Sequence, residues 1–345
     1  MNLFLDDSRC REFLFPFTNT RHTADIRIGI LTIREKWELI TGLLVITEES
    51  FKNKKTISIP ANIIPTTESA SSILKAATDK TPILENEEIK MLKHPWQIFQ
   101  LNDWASRHDF MVVTKHRNSQ IISTTNRCTG EENIFLEEGV VMEYCIINAS
   151  TGPVYIGKHV QIMEGTMIRG PFSAGEGAVV KMGAKIYGAT TIGPYCVLGG
   201  EIKNSVLFGY SNKAHDGYLG DSVIGEWCNL GAGTSSSNVK NTGGEVKYYI
   251  DSNFNALAAG NKAGLLMGDY SRSAINTSFN TGTVVGVCCN IFGEMPAKYV
   301  PHFSWNTDRY IFEKALIDID NWKKMKGGEL LENEIEILKE IYSNN

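Results

Sequence analysis

His215 stands in the run Asn212-Lys-Ala-His-Asp-Gly-Tyr218, between Lys213 and Asp216, where an otherwise regular pattern loses step. Imidazole titrates near neutrality, so a histidine here can take a proton from a nucleophile and pass it on. Upstream, Glu201 and Lys203 are two apart, a spacing that on a strand turns both side chains to one face. That pair suits a site that orients an imidazole or collects an amine while neutralising an anion. Arg169 and Lys185 are further cations at outward positions of the same pattern. Taken singly, each has a plainer reading: a structural histidine, an exposed ion pair, a solvated face.

The pattern that must position them has a period of six. Ile156, Ile162, Ile168, Ala174, Val180, Ile186, Ile192 and Leu198 fall six apart, each preceded two residues earlier by a small or apolar residue. Six is neither a helical period nor plain strand alternation. It predicts a hexapeptide-repeat solenoid in which short strands joined by tight turns form the sides of a prism, three repeats to a coil. The pattern starts near Phe135, loses step after Leu198, and resumes at Ile224 and Leu230. A polar loop over Ser235–Val246 breaks it again before Met267, Ser273, Phe279, Val285 and Ile291 restore it. Breaks that return to phase predict loops thrown out from a continuing solenoid, where function commonly sits.

The 345 residues divide into three expected parts: an α/β domain over 1–130, the solenoid over 131–300, and helices over 301–345 that either cap the last open coil or form an arm on a neighbouring subunit. In the first part, Met1–Leu5, Leu43–Thr47 and Phe110–Thr114 read as strands and Ile26–Ile40 as a helix. In the last part, Ile311–Ile319 and Leu330–Ile341 read as helices separated by Gly327-Gly328. A net charge of −5 argues against a nucleic-acid partner, although a local basic pocket is compatible with it. Seven cysteines without a C-x-x-C pair point to a reducing cytoplasm and no metal site. The start, MNLFLDDSR, lacks a signal peptide's pattern, and no run approaches the ~20 apolar residues of a membrane span.

The stretch Glu201–Thr234, EIKNSVLFGYSNKAHDGYLGDSVIGEWCNLGAGT, resembles the acetyltransferase half of the bacterial bifunctional glucosamine-1-phosphate acetyltransferase/N-acetylglucosamine-1-phosphate uridyltransferase family. In that family Glu-x-Lys is followed by the catalytic histidine, Tyr-Leu-Gly-Asp and Asn-Ile-Gly-Ala-Gly-Thr. The resemblance covers about residues 135–295. It implies a left-handed parallel β-helix assembling as a homotrimer, with acetyl-CoA as co-substrate. Position by position it implies His215 as catalytic base, with Glu201 as a carboxylate of the same site. It also implies Lys203, Tyr218 and Asn229 as sugar-phosphate ligands, Ala232 and Gly233 in the acetyl-CoA segment, and Asn238 near the transferred acetyl group. Arg169 and Lys185 are additional candidates for the phosphate. The chain departs from the family at Val239, where a tyrosine is usual, and in the later coils around Gly268–Gly286.

Residues 1–130 resemble more faintly the start of a sugar nucleotidyltransferase. Such domains open with a strand and a Gly-rich loop ending in Thr-Arg that cradles phosphates. Here the strand is followed by Pro16–Arg21, yet no glycine precedes Gly29. A phosphate cradle would use Arg9, Arg11 or Arg21 instead, and Asp6 and Asp7 read either as a strand-end turn or as ligands of Mg2+ beside a nucleoside triphosphate. The function the resemblance implies is acetyl-CoA-dependent N-acetylation of an amino-sugar 1-phosphate, with glucosamine 1-phosphate as the expected substrate, and a nucleotidyltransferase activity in the N-terminal domain stays open. The rival readings are sugar-1-phosphate nucleotidyl transfer with the solenoid as trimerisation scaffold, and a non-catalytic sugar-nucleotide binder.

Overall fold

Each six-residue repeat supplies a strand of two or three residues and a corner, and three repeats close one coil. In the computed structural model, which describes residues 2–250, 255–293 and 295–344, these strands stack into three sheets of ten, eight and nine strands. Val154 pairs with Phe172 and Phe172 with Thr190, so a regular coil is 18 residues long. All eight residues from Ile156 to Leu198 that define the period face the prism interior. They join one apolar core running from Ile134 to Val300. This is the parallel β-helix that the hexapeptide period requires.

The Glu201 face runs from Arg127–Thr129 to Ser278–Phe279, the Asn229 face from Val141–Met142 to Asp308–Arg309, and the Val206 face from Ile134–Leu136 to Tyr299–Val300. The loss of step after Leu198 is not a loop. Leu198 pairs with Lys213 and Glu201 with Tyr218 in unbroken sheets. The corner between Leu198 and Glu201 is simply cut to Gly199-Gly200, where the preceding coil has four residues, 181–184. The expected polar loop is also corrected at its start, because Ser235–Ser236 is a strand of the Glu201 face. The real excursion follows it, before Leu266 pairs with Val223. It carries an antiparallel hairpin, Lys247–Tyr249 with Ala256–Ala258.

The N-terminal part is built on a three-stranded parallel sheet with Asn2–Asp6 in the centre, Leu44–Ile46 on one side and Thr56–Pro60 on the other. Helix α1 (Ile33–Thr41) starts at a capping box of Thr32 and Glu35. The residues before it, expected as helix, turn instead at Gly29 into a short hairpin, Arg27–Ile28 with Leu31–Thr32. Phe110–Thr114, expected as a strand, belongs mostly to the end of a helix, Asn102–Val113. Its buried residues Asn102, Ala105, Ser106, Asp109, Phe110 and Val113 follow a helical period. Three of them are polar, which hides the period from a hydrophobic pattern.

This part rests on the Val206 face and shares a core with it. Leu3, Leu14, Phe17 and Trp37 form one cluster with Val206, Phe208, Val223 and Val284, and with Val246 and Tyr248 of the excursion. Asn102 bridges the two parts. Its Oδ1 accepts Gly29 N–H at 2.7 Å, and its Nδ2 donates to the Ala189 carbonyl at 2.7 Å.

The C-terminal helices, Phe312–Lys324 and Glu332–Ser343, form where expected but do not close the open end. They run back along a prism edge, packing on Tyr270, Val287, Cys288 and Phe303. Lys326 reaches the carbonyls of Tyr195 and Tyr210 at 2.8 and 2.9 Å. All seven cysteines are free thiols, and no described helix is long and apolar enough to cross a membrane.

Candidate functional site

Parallel register lines up side chains at matching positions of successive coils. On the Glu201 face one outward row runs Ile146, Met167, Lys185, Glu201, Tyr218, Ser235. A second row carries Asn148, Arg169, Tyr187 and Lys203. Five expected site residues, Arg169, Lys185, Glu201, Lys203 and Tyr218, therefore share one face. A shallow groove of about 420 Å³ lies along it, lined by Ile146, Met167, Arg169, Lys185 and Tyr187 among others.

Tyr187, absent from the sequence-based set, is the residue that holds Glu201. Its hydroxyl donates to Glu201 Oε1 at 2.6 Å. Donation to that carboxylate, with some help from burial, pushes the phenol up to about 12. The Lys203 ammonium lies 5.8 Å from the centre of the same ring. The available signal was parity: Tyr187 follows Lys185 by two, as Lys203 follows Glu201. Tyr218 lies across Gly220, where a Cβ would come 2.3 Å from the tyrosine hydroxyl. Burial raises the Tyr218 phenol, while a hydrogen bond with Asn238 works the other way.

His215 sits at the edge of this face, in the corner leading from the Asn229 face into the strand Tyr218–Gly220. Its side chain is exposed and makes no hydrogen bond among the described residues. Ala232 and Gly233 occupy the same corner one coil on, and Gly233 N–H donates to the Asp216 carbonyl at 3.0 Å. His215, the expected acetyl-CoA segment and the Glu201–Tyr218 row thus meet along one edge.

Two expected residues lie elsewhere in the chain's own fold. Asn229 is on the neighbouring face, paired with Asn212 and Arg272. Asn238 lies past the far end of the Ser235–Ser236 strand, 8% exposed, and its amide donates to Asp221 Oδ2. Asn204 holds the other oxygen of Asp221 at 2.6 Å. Asn238 thus stands at the far end of the strand from His215 while remaining hydrogen-bonded to Tyr218.

A family model described as sugar nucleotidyl transferase matches residues 2–78. The bifunctional protein GlmU of Methanocaldococcus jannaschii is 35% identical over 106 residues, 28% of this chain and 26% of that protein. The bifunctional sugar-1-phosphate nucleotidylyltransferase/acetyltransferase of Sulfurisphaera tokodaii is 26% identical over 232 residues, 64% of this chain and 49% of that protein. The chain is similar to parts of these bifunctional transferases. The matches span about a quarter to a half of the relatives' own length. The Arabidopsis UDP-N-acetylglucosamine acyltransferase structure aligns over 65% of this chain and 92% of its own at 15% identity and a TM-score of 0.24. So loose a likeness carries no conclusion.

The nucleotidyltransferase match falls on the parallel sheet. A cleft of about 620 Å³ opens at the carboxyl ends of its strands, lined by Asp6, Arg9, Ser58, Asn62, Lys80 and Thr81 among others. The chain leaves the central strand first to one side and then to the other, and such a switch point is the usual ligand position of a parallel α/β sheet. Of the three arginines proposed for a phosphate cradle, Arg9 alone lines this cleft. Arg11 pairs with Asp7 at 3.1 Å. Arg21 is buried against Asp269 and lies 3.3 Å from Glu226, with Thr20 on the same Asp269 oxygen. The Thr-Arg pair that ends the expected phosphate loop is consumed in docking to the solenoid.

Asp7 is likewise committed. Burial works against its charge, yet the hydrogen bond and charge of His22, 3.2 Å away, hold its carboxyl down at about 2. Asp6 is the one carboxylate among the residues lining the cleft. A Mg2+ there would be held by Asp6 and by phosphate oxygens of its nucleotide, a ligand set that suits the ion.

Proposed function

We propose that this protein is a coenzyme A-dependent N-acyltransferase acting on an amino-sugar 1-phosphate, with glucosamine 1-phosphate and acetyl-CoA as the first pair to test. The observation that carries the reading is the single prism edge shared by His215, Glu201 and Tyr218, with Ala232 and Gly233 one coil on. Kinship with enzymes named as bifunctional transferases supports it.

In this reading His215 removes the proton that keeps the sugar amine from attacking. The amine nitrogen forms a C–N bond to the thioester carbonyl and the C–S bond breaks. The imidazolium passes that proton to the departing thiolate, and the second proton of the attacking nitrogen leaves to solvent as the amide forms. General-base assistance of this kind contributes about 10²- to 10⁴-fold. Glu201, held by Tyr187, collects the amine, while Lys203, Lys185 and Arg169 neutralise the phosphate. The exposed imidazole and the distant Asn229 suit a site completed by neighbouring subunits, in keeping with a homotrimer.

His215→Ala is expected to lower thiol release from acetyl-CoA by at least about 100-fold while leaving the circular dichroism spectrum unchanged. Undiminished thiol release would remove His215 from the mechanism. A second reading, sugar-1-phosphate nucleotidyl transfer, is favoured by the cleft at the carboxyl ends of the parallel strands. It predicts pyrophosphate release from a nucleoside triphosphate with Mg2+, insensitive to His215→Ala and lowered about tenfold or more by Arg9→Ala. Measuring thiol and pyrophosphate together separates the two activities and recognises a protein that has both. Ligand-induced stabilisation without either product would leave a sugar-nucleotide binder.

A further inference from the structure

Inside the prism, the column on the Asn229 face reads Met142, Ile162, Val180, Leu198, Lys213, Leu230, Ser273, Ile291. Lys213 is fully buried, with Leu198 and Leu230 on the strands at either side. An ammonium among aliphatic side chains is costly unless it is hydrogen-bonded. Here Nζ donates to the His215 carbonyl at 2.5 Å and to the Asp216 carbonyl at 3.3 Å. Burial brings the group down to about 8, with the charge of Asp216 working against that shift.

The corner thus gripped from inside is also fitted from below and above. A Cβ on Gly199 would come 2.3 Å from the Ala214 carbonyl oxygen, and one on Gly200 2.8 Å from that of His215. The shortened Gly-Gly corner therefore makes a notch into which the next corner settles. Above it, Gly217 lies against the Thr234 carbonyl, and Asp216 accepts from Gly233. None of these contacts touches the imidazole. Its place on the edge is set wholly by the backbone that carries it.

We propose that Lys213 is the positioning residue of His215: its ammonium, buried in the core, fixes the corner backbone from which the imidazole projects. The proposal rests on the acyltransferase reading for its catalytic consequence, though not for the geometry. It accounts for a charge kept at a position the repeat fills with an aliphatic side chain in most coils.

Lys213→Met tests it, because methionine is of similar length and suits the flanking leucines. The variant should unfold cooperatively, within a few degrees of the wild type. Its kcat for thiol release should fall about tenfold or more, with KM for both substrates within twofold. Lys213→Gln, which retains an N–H donor, should recover part of the loss.

Amide hydrogen exchange supplies a readout independent of activity. Exchange at Tyr218 and Gly233, whose N–H groups donate to Ser235 Oγ and the Asp216 carbonyl, should quicken about tenfold or more in Lys213→Met. Ile59 in the N-terminal sheet should be unaffected. Unchanged exchange at both corner amides, or faster exchange throughout the prism, overturns the proposal. If the wild type releases no thiol with any sugar phosphate, the acyltransferase reading falls, and the exchange result still decides whether Lys213 holds the corner.

Discussion

Tyr187 and Glu201 are joined by a hydrogen bond to a charged acceptor, a kind worth about 1.5–3 kcal/mol. In the proposed acyl transfer, Tyr187→Phe should therefore lower kcat/KM for the amino sugar about tenfold, with little effect on acetyl-CoA binding, as steady-state kinetics with each substrate varied would show. Asp7 offers a pH test away from that site. Its folded pKa of about 2 lies below the ordinary 3.8, so its stabilisation is complete above pH 3.8 and is lost as pH falls through about 2. Asp7→Asn should lower the melting temperature at pH 7, and the difference from wild type should close as pH approaches 2. Of the residues legible beforehand, Glu201, Lys203, Tyr218 and His215 carried a motif. Tyr187 and Lys213 did not, because their roles depend on neighbours a coil away or on the interior.

At the scale of elements, the hairpin around Gly29 and the helix Asn102–Val113 join the N-terminal part to the prism. A Cβ at Gly29 would meet Asp109 Oδ2 at 2.5 Å and the Ala105 backbone at 2.8 Å, at a φ of +71°. Both the space and the backbone conformation are closed to other residues. Gly29→Ala should cost about 1–3 kcal/mol, measured by urea unfolding; a loss below 0.5 kcal/mol would show that the junction is slack. Helix α1 was overdrawn from sequence because apolar residues of the hairpin continue its pattern into Gly29. Phe110–Thr114 was misread because Asn102, Ser106 and Asp109 turn polar groups into the core. They find partners only in the assembled structure: Asn102 at Gly29 and Ala189, and Asp109 at Lys36. Hydrophobic period cannot report a core that is partly polar.

Across the whole molecule, a shared apolar core joins the solenoid, the N-terminal sheet and the excursion hairpin. Deleting residues 1–117, which leaves every prism strand in place, should therefore expose Val206, Phe208, Val223 and Val284 and give an aggregating product in size-exclusion chromatography; a soluble, well-folded remainder would show that the prism stands alone. The period of six from Ile156 to Leu198 determined the solenoid, since a core one side chain wide favours small or aliphatic residues at its inward positions. The spacing of Glu201, Lys203, His215 and Tyr218 likewise marked the region where chemistry is proposed. Tertiary structure alone decided that the register break is a Gly-Gly notch, that the terminal helices follow an edge, and that Arg21 is buried in an ion pair. Each depends on contacts between residues far apart in the chain, from Arg21 with Asp269 to Lys326 with Tyr195. Local periodicity is set by a residue's own coil, whereas these contacts exist only once the coils are stacked and the N-terminal sheet has docked.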